Sequence, residues 1–306
     1  VRFGIRLPGN FLYAALASPW EAAITGAQSL RFARRADELG FDWLWVSEHL
    51  VQIPKLVPSM GARFYEGITA AAVVAGATER IRLLTYVVPL PYHHPVTYAK
   101  AAATLDRLSD GRLDLGVSVG YLRKEFEILG VPFAKRGAVM DESLCAMKAL
   151  WTEDEPRFHG EHFAFDKILF EPKPVQEPHP PLFIGGDAPV VLRRAARLGD
   201  GWMPWLTTID ELPARVEELR SLPEMASRTR PFEVLALLAE VCVEDRLDLH
   251  RMRVPREPAE AIELAGRLAR AGATGCVAHL PRTSCLEECM EWMERFAAEV
   301  LPAFCG

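Results

Sequence analysis

The chain has 306 residues, 50% of them hydrophobic, enough to bury a core of barrel size or two smaller ones. Its 35 Lys and Arg against 41 Asp and Glu give a net charge of −6, and scattered arginines leave no basic stripe for nucleic acid. No apolar run approaches the roughly 20 residues of a membrane span, the six cysteines contain no C-x-x-C, and Val1 opens on a strand-like segment, so we expect a cytoplasmic protein with reduced thiols and no membrane partner.

Strand and helix signals alternate along the chain. Residues 2–7 read as a strand and 30–39 as an amphipathic helix stopped by Gly40. A strand at 41–46 follows, then the Ala-rich helix at about 66–77, a strand at 81–88, a helix at 96–108 ended by Ser109-Asp-Gly111, a strand at 112–117 and a helix at 137–151. The second half repeats the rhythm with strands at 182–185, 201–203, 233–243 and 275–279, and helices at 188–198, 210–220, 258–271 and 285–300. Eight such units in one chain of this length predict a single (β/α)8 TIM barrel over 1–306, with an open doubly wound sheet as the rival because periodicity does not reveal closure. Two stretches break the rhythm. Residues 47–65, with Pro54, Pro58 and Gly61, suit a long loop over a barrel mouth, and 152–181 reads as an insertion before the fifth strand, with a hairpin turn at 158–163 and then a Pro-rich run.

In such a barrel the residues just past the strand ends form the active face. Trp45-Val-Ser-Glu-His-Leu50 ends the second strand with Ser47, Glu48 and His49, a carboxylate beside an imidazole that suits proton transfer, or an ordinary surface pair. Gly116-Val-Ser-Val-Gly-Tyr-Leu-Arg-Lys-Glu-Phe126 ends the fourth strand with small residues, including Ser118 and Gly120 before Tyr121, leaving room for a flat ligand or simply easing a turn. Leu182-Phe-Ile-Gly-Gly-Asp187 leads into a helix. Gly185 and Gly186 could let backbone amides approach a phosphate, while Asp187 could equally cap that helix. Tyr65, His93, Trp202, Trp205 and His279 could line a pocket at the rim, although aromatic residues beside strands are commonly core. His159 and His162 form an H-x-x-H that lacks further ligands in zinc spacing, so we expect no metal site.

These segments, read with Gly199-Asp-Gly-Trp-Met-Pro204 and the run Leu105-Asp-Arg-Leu-Ser-Asp-Gly-Arg-Leu-Asp-Leu-Gly-Val117, resemble the bacterial luciferase-like superfamily of flavin- and deazaflavin-dependent oxidoreductases, most of all its coenzyme F420-dependent branch. The resemblance implies a (β/α)8 barrel with an insertion before the fifth strand, a small-molecule substrate and a homodimer. It implies a cofactor ring in the barrel mouth with its phosphate near Gly185 and Gly186, and His49, assisted by Glu48, as an acid/base beside the ring. Relatives with a non-prolyl cis peptide in the third strand suggest Thr85-Tyr86 as its counterpart here. Sugar-phosphate-oxidising relatives carry a glutamate where this chain has Tyr121, which argues for an uncharged or weakly polar substrate instead. F420 is therefore the expected cofactor, with hydride passing to or from an alcohol, carbonyl or activated double bond; the alternative is an FMNH2-dependent two-component monooxygenase using FMN from a separate flavin reductase.

Overall fold

A computed structural model describes residues 1–241 and 252–304. Eight strands form the ring: β1 (Arg2–Arg6), β2 (Trp43–Val46), β3 (Arg82–Thr85), β4 (Leu113–Ser118), β5 (Leu182–Gly185), β6 (Gly201–Met203), β7 (Glu233–Leu237) and β8 (Gly275–Ala278). Each pairs in parallel with the next, and β8 returns to β1 with Gly275 opposite Arg2, so the sheet is closed and the open-sheet rival is excluded. Between the strands run α1 (Gly26–Glu38), α2 (Gly67–Ala75), α3 (Pro95–Leu108), α4 (Arg136–Thr152), α5 (Pro189–Leu198), α6 (Leu212–Arg220) and α7 (Pro258–Arg270), and α8 (Leu286–Glu299) follows the last strand. No helix among the described residues is long and apolar enough to cross a membrane.

Local chemistry accounts for most boundaries. Helix α1 begins earlier than its apolar periodicity, because Thr25 and Gln28 form a reciprocal capping box, and it ends before Gly40 at φ +84°. The third strand is shorter than 81–88. It stops at Thr85, a cis peptide bond joins Tyr86 to Val87 rather than Thr85 to Tyr86, and Val88–Pro89 pairs separately with β4 outside the ring. The seventh strand ends at Leu237 instead of 243; Glu240 bridges to Arg253, and residues 242–243 lie outside the described residues. Residues 47–65 are less irregular than expected, with a short helix at Val57–Met60, and a further helix at Arg123–Leu129 follows β4. The insertion contains the expected hairpin, Phe158–His159 against Ala164–Phe165. Its turn is fixed by Glu142 of α4, which accepts the backbone N–H groups of Glu161 and His162 at 2.9 and 2.8 Å.

Side chains alternate along the strands. Leu44, Val46, Leu115, Val117, Ile184 and Trp202 pack outward against the helices, while Trp43, Trp45, Leu84, Phe183, Met203, Leu235, Leu237 and Val277 fill the interior. At the N-terminal end Asp114 accepts from Trp43 Nε1 at 2.6 Å and from Arg82 Nε at 2.7 Å, closing the barrel with a polar layer. Gly116 is required by space: a Cβ there would stand 2.0 Å from the Thr85 carbonyl oxygen and 2.9 Å from Met203 Sδ. Interior packing thus seals one end and leaves the C-terminal end for a site.

The loop after β1 is anchored by a fully buried ion pair. Arg6 donates through Nη1 and Nη2 to the two oxygens of Glu21, both at 2.7 Å, and Glu21 also accepts the N–H groups of Gly9 and Ser18 at 2.8 and 2.9 Å. The guanidinium carbon lies 4.6 Å from the centre of the Phe11 ring, so the pair sets the aromatic wall above it. Removing one partner strands the other charge without solvent. Glu21→Gln is expected to lower stability by about 3–5 kcal/mol, read as a shift in the urea midpoint, whereas Glu38→Gln, in an exposed pair with Arg35, is expected to cost less than about 1 kcal/mol.

Candidate active site

The strand ends converge on a cavity of about 560 Å3, lined mainly by apolar groups from the loops after β1 to β6 and by His279 after β8. Phe11, Tyr13, Trp45, Phe64, Tyr86 and Trp205 give it aromatic walls. This is the C-terminal mouth of the barrel, where eight loops can each deliver a group.

Asn10 holds the end of β2 in place. Its side-chain amide accepts the Ser47 N–H at 2.7 Å and donates to the Ser47 carbonyl at 3.1 Å, copying the backbone pairing of a neighbouring strand. The next two residues point in opposite directions, as successive residues of extended chain do. Glu48 turns away from His49. Its carboxylate meets His93 Nε2 at 2.6 Å and accepts the Gly67 N–H at 2.7 Å, tying β2 to the start of α2 and to the loop after β3. Glu48, Glu66 and His93 lie close enough to share an ion, but Glu48 and Glu66 both already accept backbone N–H groups at the α2 terminus.

His49 has a different carboxylate partner from the one expected. Its Nδ1 lies 3.0 Å from Oε2 of Glu125, which is buried in the short helix after β4. Glu125 also accepts the Tyr92 hydroxyl at 2.7 Å and the N–H groups of Leu50 and Val51 at 2.7 and 3.2 Å. Burial alone would raise this carboxyl, but the hydrogen bond and charge of His49, with the bonds from Tyr92 and Val51, outweigh it and hold it below the usual glutamate range. An ionised carboxylate only accepts, so His49 donates from Nδ1, and in the neutral form of the ring the lone pair is on Nε2, facing outward. Nε2 faces the Tyr121 hydroxyl at 3.2 Å, and the His49 ring stands edge-on to Phe64 and Tyr121. Burial, with the nearby Glu125 charge, pushes the Tyr121 phenol up to about 12 against a hydrogen bond from Tyr13 that lowers it, and burial likewise raises Tyr13. Both phenols are therefore neutral donors at pH 7. The result is a line from a buried anion through an oriented imidazole to a phenol at the cavity wall.

Asp187 does not cap α5, whose N-cap is Ala188 with no side-chain bond. Instead its carboxylate gathers the loop after β6, accepting the N–H groups of Trp205, Leu206 and Thr207 at 3.0 Å each and the Thr207 hydroxyl at 2.7 Å. Gly186, at φ +128°, gives its own N–H to the Met203 carbonyl at 3.0 Å. Of the residues singled out in the sequence, Ser47, Glu48, His49, Tyr86, Ser118, Tyr121, Gly185, Gly186, Asp187, Trp205 and His279 belong to the cavity wall. The others lie elsewhere. Thr85 is buried and spends its hydroxyl on the Gly116 carbonyl at 2.8 Å; Gly120, at φ +73°, is a turn glycine against Phe126 and Tyr92; Tyr65 bridges to Glu48; His93 serves Glu48; and Trp202 faces the helices, donating to the Gly186 carbonyl at 2.8 Å. Sequence reasoning missed Glu125 as a functional group, because 76 residues separate it from His49 and no local spacing links them.

The fold, the site and the sequence agree on a family. The luciferase-like monooxygenase family model matches residues 2–278. The chain belongs to the luciferase-like monooxygenase family. Among relatives of this luciferase-like chain, an uncharacterized protein of Mycobacterium tuberculosis is 38% identical over 174 residues, 57% of this chain and 59% of that protein. The FMNH2-dependent dimethylsulfone monooxygenase of Pseudomonas putida is 29% identical over 195 residues, 62% of this chain and 52% of that one. These matches span between about half and three fifths of the relatives' lengths. Among solved structures, a monooxygenase of Streptomyces bottropensis superposes with TM-score 0.80 at 23% identity over 100% of both chains. An F420-dependent secondary alcohol dehydrogenase, in complex with an F420–acetone adduct, superposes with TM-score 0.75 at 19% identity over 100% of this chain and 99% of that one. At these identities the superpositions establish the luciferase-like fold alone.

The lowered Glu125 carboxyl carries a sign for stability. Its contribution is complete above the unfolded glutamate value near 4.5 and is lost as pH falls through the lower folded value. Urea midpoints measured from pH 7 down to pH 3 are expected to fall below about pH 4.5, and Glu125→Gln is expected to lower the neutral plateau and flatten that acid limb.

Proposed function

We propose that this protein is an F420-dependent oxidoreductase that passes a hydride between the deazaflavin and an uncharged organic substrate, an alcohol and its carbonyl or an activated double bond, while His49 handles the accompanying proton. The observation that carries the reading is the Glu125–His49–Tyr121 line at the mouth of an otherwise apolar cavity.

The residues present fit a phosphorylated tricyclic cofactor. A cavity of about 560 Å3 with aromatic walls suits a flat ring system, and Tyr86, Val87 and Trp205 offer faces for it. Helix α5 starts with no side-chain cap, and the charge of Asp187 beside it is already satisfied by four donors. The Gly186 N–H is spent on the Met203 carbonyl, so the place left for the phosphate of a cofactor is the uncapped start of α5, just past Gly185-Gly186. When bound, the cofactor supplies the hydride-accepting or hydride-donating carbon. The protein's own share is binding, exclusion of water and one proton. His49 Nε2, with its lone pair turned toward Tyr121 and the cavity, takes a proton from a substrate hydroxyl or returns it to a forming oxyanion. Glu125 fixes the tautomer and balances the positive charge the ring acquires, and Tyr121 either relays the proton or donates a hydrogen bond to the substrate oxygen. Apolar walls favour a substrate without formal charge. F420-dependent enzymes among the structural neighbours support this reading.

A second reading, an FMNH2-dependent monooxygenase served by a separate flavin reductase, is favoured by the similarity to dimethylsulfone monooxygenases. Titration with oxidised F420 and with FMN separates the two. Micromolar binding of F420 and much weaker binding of FMN is the expected result; the reverse order, with oxygen consumed in the presence of FMNH2, supports the monooxygenase and overturns hydride transfer to F420. His49→Gln is expected to reduce kcat by about 10²–10⁴-fold while changing the cofactor Kd little. A parallel loss of cofactor binding would remove His49 from the proton step.

A further inference from the structure

Past the end of β8, His279 is completely buried, and neither ring nitrogen has a hydrogen-bond partner among the described residues. Of the buried side-chain polar atoms lacking a partner, these two are the ones that belong to the cavity wall. The ring stands edge-on to Phe11, Trp45 and Trp205, with centroids 5.9, 5.0 and 6.3 Å away. The indole N–H of Trp45, its nearest neighbour, is spent on the Ala278 carbonyl at 3.1 Å. Burial, then the nearby Arg6 charge, drives the imidazole well below its ordinary pKa, so it is neutral at pH 7 and offers one donor and one acceptor.

A buried imidazole with two unmet nitrogens is costly unless something enters the cavity to meet them. A carboxylate or phosphate does not suit the position. The cation whose charge reaches it, Arg6, is held in two bonds by Glu21, and the rings that touch it are aromatic and uncharged. A neutral carbonyl, hydroxyl or ring amide does suit it.

We propose that His279 is the polar anchor inside the cavity, hydrogen-bonding an uncharged oxygen or nitrogen on the edge of a bound planar molecule. The inference rests on the reading of this cavity as the cofactor and substrate site. The same chemistry is available from two sources: the amide-like edge of a flavin or deazaflavin ring, and the oxygen of an organic substrate such as a ketone. His279 then selects ligands by a neutral hydrogen bond, while His49, after β2, moves the proton. The two histidines have opposite environments, one backed by a buried carboxylate and one by aromatic rings.

The test compares the whole protein with His279→Leu and His279→Gln. Three quantities are measured: the Tm of each protein without ligand, the Kd for oxidised F420 and for FMN, and the Kd of 2-cyclohexen-1-one for the cofactor complex. His279→Leu removes two unmet polar atoms, so its unliganded Tm is expected to stay level or rise by a few degrees. Binding is expected to weaken about tenfold or more, the equivalent of one lost hydrogen bond, with partial recovery in His279→Gln. Weaker cofactor binding assigns the ring edge as the partner, and unchanged cofactor binding with weaker cyclohexenone binding assigns the substrate oxygen. Unchanged values for both overturn the proposal. So does a fall in the unliganded Tm of His279→Leu without a binding change, which is the mark of a structural histidine. If the wild-type protein binds neither F420 nor FMN, the functional reading fails separately, and the direction of the Tm change still decides whether His279 is structural.

Discussion

The buried carboxylate of Glu125 holds the candidate site together. It lies in a helix after β4, yet it accepts two backbone N–H groups from the loop after β2, the Tyr92 hydroxyl from the segment after β3, and the His49 ring. Four donors around one anion offset its desolvation, which an unpaired carboxylate at that depth would not survive in ionised form. In exchange, three loops with no regular pairing to one another acquire a common fixed point. The imidazole tautomer follows from the same constraint, because every group facing an ionised carboxylate must donate. A local electrostatic requirement thereby determines which nitrogen of His49 meets the cavity.

Other carboxylates do similar work around the mouth. Glu21 fixes the loop after β1 against Arg6, Glu48 ties β2 to α2 and His93, and Asp187 gathers the loop after β6. Each is saturated by donors from the protein, so the acidic residues near the cavity are scaffolding and its interior stays largely apolar. The rigid ring of strands supplies the directions and the anions hold the loops to them. Among the described residues the groups left to meet a ligand are few, and they include the outward nitrogen of His49 with Tyr121, the two nitrogens of His279 and the uncapped start of α5.

Much of the fold was legible in the chain because barrel strands and helices announce themselves locally. Runs such as 41–46 and 182–185, each beside a helical period, give the β/α order, and their number gives the barrel. Breaks in period were harder to read. The end of β3 at Thr85 depends on how Val88 reaches over to pair with Val117, a contact between distant segments. The site was legible where it depends on position alone, since Ser118 ends a strand and Ser47, His49, Tyr121 and Gly186 follow strand ends. It was illegible where direction or distant pairing matters. Glu48 sits beside His49 in sequence but points to the other side of the chain, while Glu125 completes the pair from 76 residues away. His93, in the segment after β3, and Trp202, in the middle of β6, likewise have their side chains engaged away from the mouth.

The chain belongs to the luciferase-like monooxygenase family; an FMNH2-dependent dimethylsulfone monooxygenase is similar to it in sequence, and an F420-dependent alcohol dehydrogenase shares its fold. Buried and ionised, Glu125 faces Nδ1 of His49 and so favours the neutral tautomer whose outer nitrogen carries no proton. The most direct test is nitrogen-15 NMR of the histidine side chains near pH 7, with His49 assigned by comparison with His49→Gln. A proton on Nδ1 and a bare Nε2 are expected in the native protein, with that preference lost in Glu125→Gln. A native ring protonated on Nε2, or one unaffected by Glu125→Gln, would contradict it.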